Sequence, residues 1–491
     1  MSAVLSQVMM RIIAFVVIFL TISHGTQAAP GDVFDALVEK AQEARNTATV
    51  PYNACGEAGK KEFVALAAES WYLWYEELAQ VSPEDFETAQ AYLDAITAPL
   101  APDGRDPGFS YLTTQAADDA QGSTGAYVGF GFSYGFDYQN RFLFSDVLQG
   151  GPAGDANFKR GNEVIAIDMG SGFETIDELS ERQATIIEIF GGDEAGLERG
   201  FRVRQGQSVI EVTLTKRELV TPPLATEPLL LERAGNSPVG YLNLRSFIET
   251  ANDALSDATR TFRDAGVTDL VIDLRYNGGG LVSVADRMLD LLGGLVATNQ
   301  DSWSISHNEK HSDEDFGAYF AEFPDSMAPL RIAFITTGST ASASELVINS
   351  LSPHIEVVLI GEDTLGKAVG QYAFDQNRWA SEWTGCDTRL RLIAFQIVNG
   401  EGDGQYYNGL ISSGGFTLCP AIDDLTRDFG DPAESSLNAA LGWLNNGFCS
   451  ANTASVVTPR LRQLGSDLSG RSDWHVTQSA DAPFGLSPWV Q

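Results

Sequence analysis

Ser342 and Lys367 are the residues in this chain best placed to do chemistry together. They stand near the two ends of Arg331–Gln371, RIAFITTGSTASASELVINSLSPHIEVVLIGEDTLGKAVGQ. A serine hydroxyl attacks a carbonyl only when a base takes its proton. Histidine is the common base, yet His24, His307, His311, His354 and His475 lie in no G-x-S-x-G or similar context. Lysine is the alternative, and it makes a Ser–Lys form of the nucleophile–base pair. The surrounding pattern brings the two together. An apolar run, Ile332 to Ile335, breaks at Thr336-Thr337-Gly338. Small residues from Ser339 to Ser344 lead into a helical pattern through Leu351, and a second apolar run, Val357 to Ile360, precedes Gly366-Lys367. This reads as strand, turn, helix, strand, turn. A serine at the start of that helix lies beside N–H groups able to stabilise an oxyanion. In a parallel sheet the ends of adjacent strands are neighbours, so Ser342 and Lys367 can meet.

The lysine must be uncharged to act. An ordinary lysine titrates near 10.4, and bringing it near 7 disfavours the ammonium by about 4 kcal/mol. Burial among apolar groups supplies this. Leu365, Ala368 and Val369 flank Lys367, whereas Glu362 or Asp363 close in space would oppose the shift. Gln371 can orient the amine without adding charge.

These residues carry a resemblance. The S-A-S-E segment followed by G-E-x-T-x-G-K and a glutamine resembles the core of the C-terminal processing (tail-specific) serine peptidases. The resemblance makes Ser342 the nucleophile, Lys367 the base 25 residues later, and Gln371 the orienting residue. Upstream, Asp273-Leu274-Arg275-Tyr276-Asn277-Gly278-Gly279-Gly280 resembles the D-L-R-x-N-x-G-G of the same family. It implies one oxyanion N–H from Gly280 or Gly279 and a second from Ala343. Tyr276 stands where the family usually has Asn. The implied fold is mixed α/β: a ClpP/crotonase-like protease core with an inserted PDZ-like β-rich domain and an N-terminal helical region.

The elements around this centre follow in order. Residues 32–98 read as helical, dense in aromatics from Trp71 to Tyr75, which is a core-packing signal. Ser82-Pro83-Glu84-Asp85 reads as a helix start with Ser82 as N-cap. From about Gly125 to Leu219 short strands alternate with glycine turns. Gly129-Phe130-Gly131-Phe132, with Gly151-Pro152-Ala153 and the run to Ile167, resembles a PDZ domain, which receives a free peptide C-terminus on loop N–H groups and adds it as a strand. Ile176 to Phe190 reads as one helical piece and Leu219 to Pro238 as a linker. Beyond it the expectation is strand, helix, strand and helix over 239–292, a strand over 389–398 and a last helix over 434–446. His307 and His311, in Ser304–Asp315, read as part of a solvated loop rather than a metal site. The expected divisions are 1–28 signal peptide, 29–118 helical region, 119–219 PDZ-like domain, 220–450 peptidase core and 451–491 tail.

At 491 residues, 44% hydrophobic and 20% charged, the chain is globular in composition and long enough for several cores. A net charge of −35 argues against nucleic acid or anionic lipid as partner. Arg11, the apolar run Ile12 to Ile22 and the small residues near Ala28 read as an export signal, too short to span a membrane comfortably. Export makes a disulfide framework of Cys55, Cys386, Cys419 and Cys449. Three pairings are open, and the reading favours Cys386 with Cys419 and Cys55 with Cys449. The functional expectation is an exported (periplasmic or secreted) serine endopeptidase that binds protein C-termini through its PDZ domain, with no metal or cofactor. One rival is a catalytically silent PDZ-type scaffold. The other is an esterase or β-lactamase-like hydrolase, disfavoured because Glu345, not lysine, stands three residues after Ser342.

Overall fold

A computed structural model describes residues 54–449, except 138, 140, 234–236 and 380–384. The expected export signal, the helix over 32–45 and the tail from Ala451 lie outside the described residues. The elements below belong to one unit, Asn53–Asn377 with Trp383–Gln491.

Apolar runs hydrophobic on both faces belong inside a covered parallel sheet. Val239–Asn243, Asp269–Asp273, Arg331–Thr336, Glu356–Gly361 and Leu418–Pro420 pair in that order, all parallel. Leu229–Leu231 adds an antiparallel edge to Val239–Asn243, so the stretch read as a plain linker carries a strand. Alternation along each strand sends Tyr241, Val271, Ile335 and Ile360 to one face. There they pack under Leu437, Trp443 and Leu444 of helix Ser435–Asn446. Helices Ala251–Asp264, Val282–Gly293 and Ala343–Leu351 each connect successive parallel strands, and Val282–Gly293 packs against both of the others. The fold is mixed α/β, as expected.

A second sheet is built on the twelve-residue strand Thr388–Asn399. Val369–Asp375 pairs along one edge of it. Tyr111–Thr114 and Asp301–His307 share the other edge, and Phe316–Tyr319 pairs with Asp301–His307. Helix Glu57–Trp71 packs on this sheet and buries Trp71 completely. His311 stacks on Trp71 with ring centroids 3.5 Å apart, and Tyr372 and Phe374 surround it. The solvated-loop reading of Ser304–Asp315 is therefore corrected. Its first residues form a strand, His311 is buried, and the His307 ring bridges Asp315 Oδ1 at 2.9 Å and Tyr372 Oη at 2.8 Å. Trp71→Ala should cost about 3–5 kcal/mol, read as a lowered urea midpoint.

The helix start at Ser82 is also corrected. Pro83–Asp85 makes only one 3₁₀ turn, and Ser82 Oγ donates to Glu84 instead of capping backbone. The α-helix begins at Ala89, capped by Thr88 Oγ1, which accepts the Ala91 N–H. The disulfides pair Cys55 with Cys386 and Cys419 with Cys449, not as expected. The first ties the N-terminal helices to the entry of Thr388–Asn399. The second ties Leu418–Pro420 to the end of the last helix.

The β-rich insertion forms a sheet in the order Phe132–Phe136, Phe142–Val147, Glu163–Asp168, Glu198–Gln205, Ser208–Thr215, with Phe173–Thr175 on Glu163–Asp168. Ala126–Gly129 pairs separately with Arg217–Val220. The expected single helix divides into Ile176–Glu181 and Ile186–Phe190. Gln183, at φ +55°, turns the chain between them, and Thr185 caps the second piece.

Candidate active site

Ser342 sits between strand Arg331–Thr336 and helix Ala343–Leu351, at φ +57° and ψ −116°. This is strained backbone for a residue with a Cβ, costing about 1–3 kcal/mol. A strained strand-to-helix turn is a known way to lift a serine Oγ clear of its own backbone. Ser342 is buried, and its Oγ has no hydrogen-bond partner among the described residues. Its N–H donates to Glu345 Oε2 at 2.8 Å.

Lys367 lies in the connection from Glu356–Gly361 to Val369–Asp375, between the two sheets. It is 2% exposed, and Nζ donates to Gln371 Oε1 at 2.7 Å. Gln371 Nε2 in turn donates to the carbonyl of Phe109 at 2.5 Å, whose ring lies 5.1 Å below the amine. Burial lowers the Lys367 pKa to about 7; Arg391 pushes the same way, while Asp106 and Glu345 oppose. Asp363 is engaged elsewhere, accepting the Thr364, Ile411 and Ser412 N–H groups.

Glu345 joins the two halves. Besides the Ser342 amide, it accepts the Gly366 N–H on Oε1 at 2.7 Å and the Lys367 N–H on Oε2 at 2.9 Å. Two nitrogens held on one oxygen place the Ser342 and Lys367 backbones within about 5.7 Å of each other. Burial raises the Glu345 pKa to about 7 against a Thr364 hydroxyl bond and these backbone donors. The Ser342 and Lys367 side chains do not bond each other here: the amine is on Gln371 and the hydroxyl donates to nothing.

The glycine loop closes the other side. A Cβ on Gly279 would stand 2.8 Å from Ser342 Cβ and 2.9 Å from the Ala343 nitrogen, so only glycine lets this loop approach. Of the expected oxyanion donors, the Gly279 N–H is occupied by Asn277 Oδ1 at 2.9 Å. The Ala343 and Gly280 amides have no acceptor among the described residues. The Asn277 carbonyl accepts the Ala341 N–H at 3.1 Å and Ser344 Oγ at 3.0 Å, stitching the loop to the serine turn. Gly280 pairs with Phe247, beyond the loop.

In the insertion, Gly129 ends a strand opposite Arg217, and Phe132 begins one that pairs only with Phe142–Val147 among the described residues. The Phe130 and Phe132 rings are buried in the insertion's own aromatic core with Phe144, Phe190 and Phe201. Sequence reasoning missed Glu345, Asn277, Asp106 and Phe109 as parts of the site. The S-A-S-E and R-x-N segments contained the first two; nothing local marks the others.

A strained, buried serine packed against a glycine loop, with a buried lysine in the connection beside it, is an arrangement able to supply a nucleophile and a base. The profile of peptidase family S41 matches residues 238–401, and that of the S41 N-terminal domain matches residues 60–111. Over these two segments the chain is similar to peptidase family S41, and the relatives it matches include C-terminal processing peptidases. It is 27% identical over 265 residues to carboxyl-terminal-processing peptidase 2, chloroplastic, of Arabidopsis thaliana, covering 52% of this chain and 48% of the relative. It is 28% identical over 264 residues to the carboxyl-terminal-processing protease of Synechocystis, covering 52% and 56%. The chain thus spans about half the length of these curated relatives. Among solved structures, an S41 protease from Bacteroides fragilis superposes with TM-score 0.60 at 24% identity, over 79% of this chain and 97% of that one. Mature CPAF superposes with TM-score 0.50 at 11% identity, over 81% and 99%. These two likenesses concern the fold.

Proposed function

We propose that this chain is an exported serine endopeptidase that captures protein C-termini on its β-rich insertion and cleaves by a Ser342–Lys367 dyad. The observation that carries the reading is a buried lysine whose amine meets an amide rather than a carboxylate, bridged by Glu345 to a strained serine with a free hydroxyl. In the reaction, Lys367 Nζ moves from Gln371 to Ser342 Oγ and takes its proton as the hydroxyl attacks a peptide carbonyl. The Ala343 and Gly280 amides receive the oxyanion. The ammonium then protonates the leaving amine, and water releases the acyl group. Gln371 holds the neutral amine between turnovers.

Capture of the substrate terminus uses the open edge of Phe132–Phe136. A peptide strand added there lies beside helix Ile186–Phe190, whose Phe190 ring stands 5.6 Å from Tyr134 and whose Ile187 is exposed. Two disulfides agree with an oxidising compartment. The test is cleavage of one model protein with a free or an amidated C-terminus. Amidation should lower kcat/KM at least about tenfold. Equal rates would remove the terminus-capture step, and failure of a serine-directed phosphonate to label Ser342 would favour the silent scaffold.

A further inference from the structure

Tyr276 stands at φ +66°, left-handed backbone that a bulky aromatic residue seldom takes. It lies next to Asn277, whose carbonyl holds the serine turn, and three residues before Gly279. The turn is closed by the Asn277 N–H on the Leu274 carbonyl at 3.0 Å, while the Tyr276 N–H itself reaches only Thr337 Oγ1 at 3.4 Å. The phenol is held firmly. It donates to Asp423 Oδ2 and accepts from Arg160 Nη1 at 2.9 Å. Arg160 belongs to the β-rich insertion, where Nη1 also donates to the Ser145 carbonyl; its side chain is 4% exposed, and its remaining bonds run to the core, Nη2 to Asp423 Oδ1 at 2.5 Å and Nε to the Arg427 carbonyl at 3.1 Å. Its guanidinium also lies 4.4 Å over Phe429. Arg275 grips the same Asp423 at 2.7 Å and Glu434 at 2.9 Å. Nothing in the proposed dyad uses this cluster.

We infer that Tyr276 is a positioning residue: its hydroxyl, clamped between Arg160 of the insertion and Asp423 of the core, holds the Tyr276–Gly280 loop where its amide meets the oxyanion. This rests on the peptidase reading above. Strain in a backbone persists only where its surroundings fix it, and here the Leu274–Asn277 turn is fixed at one end by its own backbone bond and at the other by the phenol at the far end of the Tyr276 side chain. If the clamp opens, the left-handed turn relaxes, and Asn277 and the glycines shift relative to Ser342. Geometry errors of about 1 Å at a reacting centre cost about a hundredfold in rate. The clamp also makes the insertion a structural part of the oxyanion site, because half of it is Arg160.

The experiment uses the full chain and an internally quenched peptide with a free C-terminus. Tyr276→Phe keeps the ring and deletes the hydroxyl. It should lower kcat about 10- to 100-fold with KM within twofold. Arg160→Gln should lower kcat similarly, and the double variant should be no worse than the poorer single, because both open one clamp. An unchanged kcat in Tyr276→Phe, or multiplicative losses in the double variant, overturns the inference. So does a loss of kcat that merely follows a fall in folded fraction by circular dichroism. Wild-type protein that neither cleaves nor takes a phosphonate on Ser342 overturns the peptidase reading, and this inference with it.

Discussion

Lys367→Met should reduce peptide turnover by about four orders of magnitude or more, with the fold intact, and Ser342→Ala should do the same. Members of a nucleophile–base unit fail together, so the double variant should be no slower than either single. The lysine is the more informative of the two, because its role depends on its charge state. Burial holds Lys367 near 7, so kcat/KM should rise with pH and reach half its plateau near 7. An ordinary exposed lysine would move that midpoint above 10. Steady-state kinetics on one fluorogenic peptide between pH 5 and 9.5 checks both statements. A flat profile, or retained turnover in either purified variant, would sink the dyad.

The same shift has a consequence for stability, with the same sign as the familiar carboxylate of lowered pKa but displaced to higher pH. Folded Lys367 has lost proton affinity relative to the unfolded chain, so between about 7 and 10.5 the unfolded state binds the extra proton. Its contribution is most favourable above 10.5 and is lost as pH falls toward 7. Glu345 is the converse, since its folded pKa is raised from 4.5 to about 7. Its contribution is fully present below 4.5 and is lost as pH rises through 7. The two windows meet near neutrality, where the site is least comfortable and, on this reading, works.

Much of this was visible in the chain. Ser342, Lys367 and Gln371 fall within one uninterrupted strand–turn–helix–strand pattern, so their order already implied their neighbourhood. The apolar runs of the core strands, without alternation, suit a parallel sheet covered on both faces. What was not visible depended on distant partners. The Phe109 carbonyl that anchors Gln371 is 262 residues away in sequence, and no local pattern announces it. His311 looked solvated because its segment is polar, but the stacking Trp71 comes from the N-terminal helix. Cysteine spacing cannot choose between pairings. The right one depends on where the strand after Cys386 and the helix before Cys449 end up. In the sequence Glu345 only excludes an S-x-x-K motif, because its bonds to Thr364, Gly366 and Lys367 exist only once that turn folds back over the helix.

Glu345 therefore carries the second large effect. Its carboxylate is buried and receives three backbone N–H groups, two on Oε2 and one on Oε1. Glu345→Ala leaves three buried donors without acceptors, each costing about 1–3 kcal/mol, and removes the bridge between the serine turn and the lysine turn. Stability should fall by at least about 3 kcal/mol, and kcat by about 10²- to 10³-fold even in the fraction that stays folded. Glu345→Gln distinguishes a bridge from a charge. With its carbonyl oxygen in the Oε2 position it still accepts both the Ser342 and Lys367 amides, and the Gly366 N–H is the backbone donor left without its acceptor. This variant should keep kcat within about tenfold of wild type. It should also lose the fall in stability between pH 4.5 and 7, because an amide does not titrate. If Glu345→Gln is as inactive as Glu345→Ala, then the negative charge itself, and not the shared oxygen, is what the site requires, and the bridging role assigned to this carboxylate is wrong.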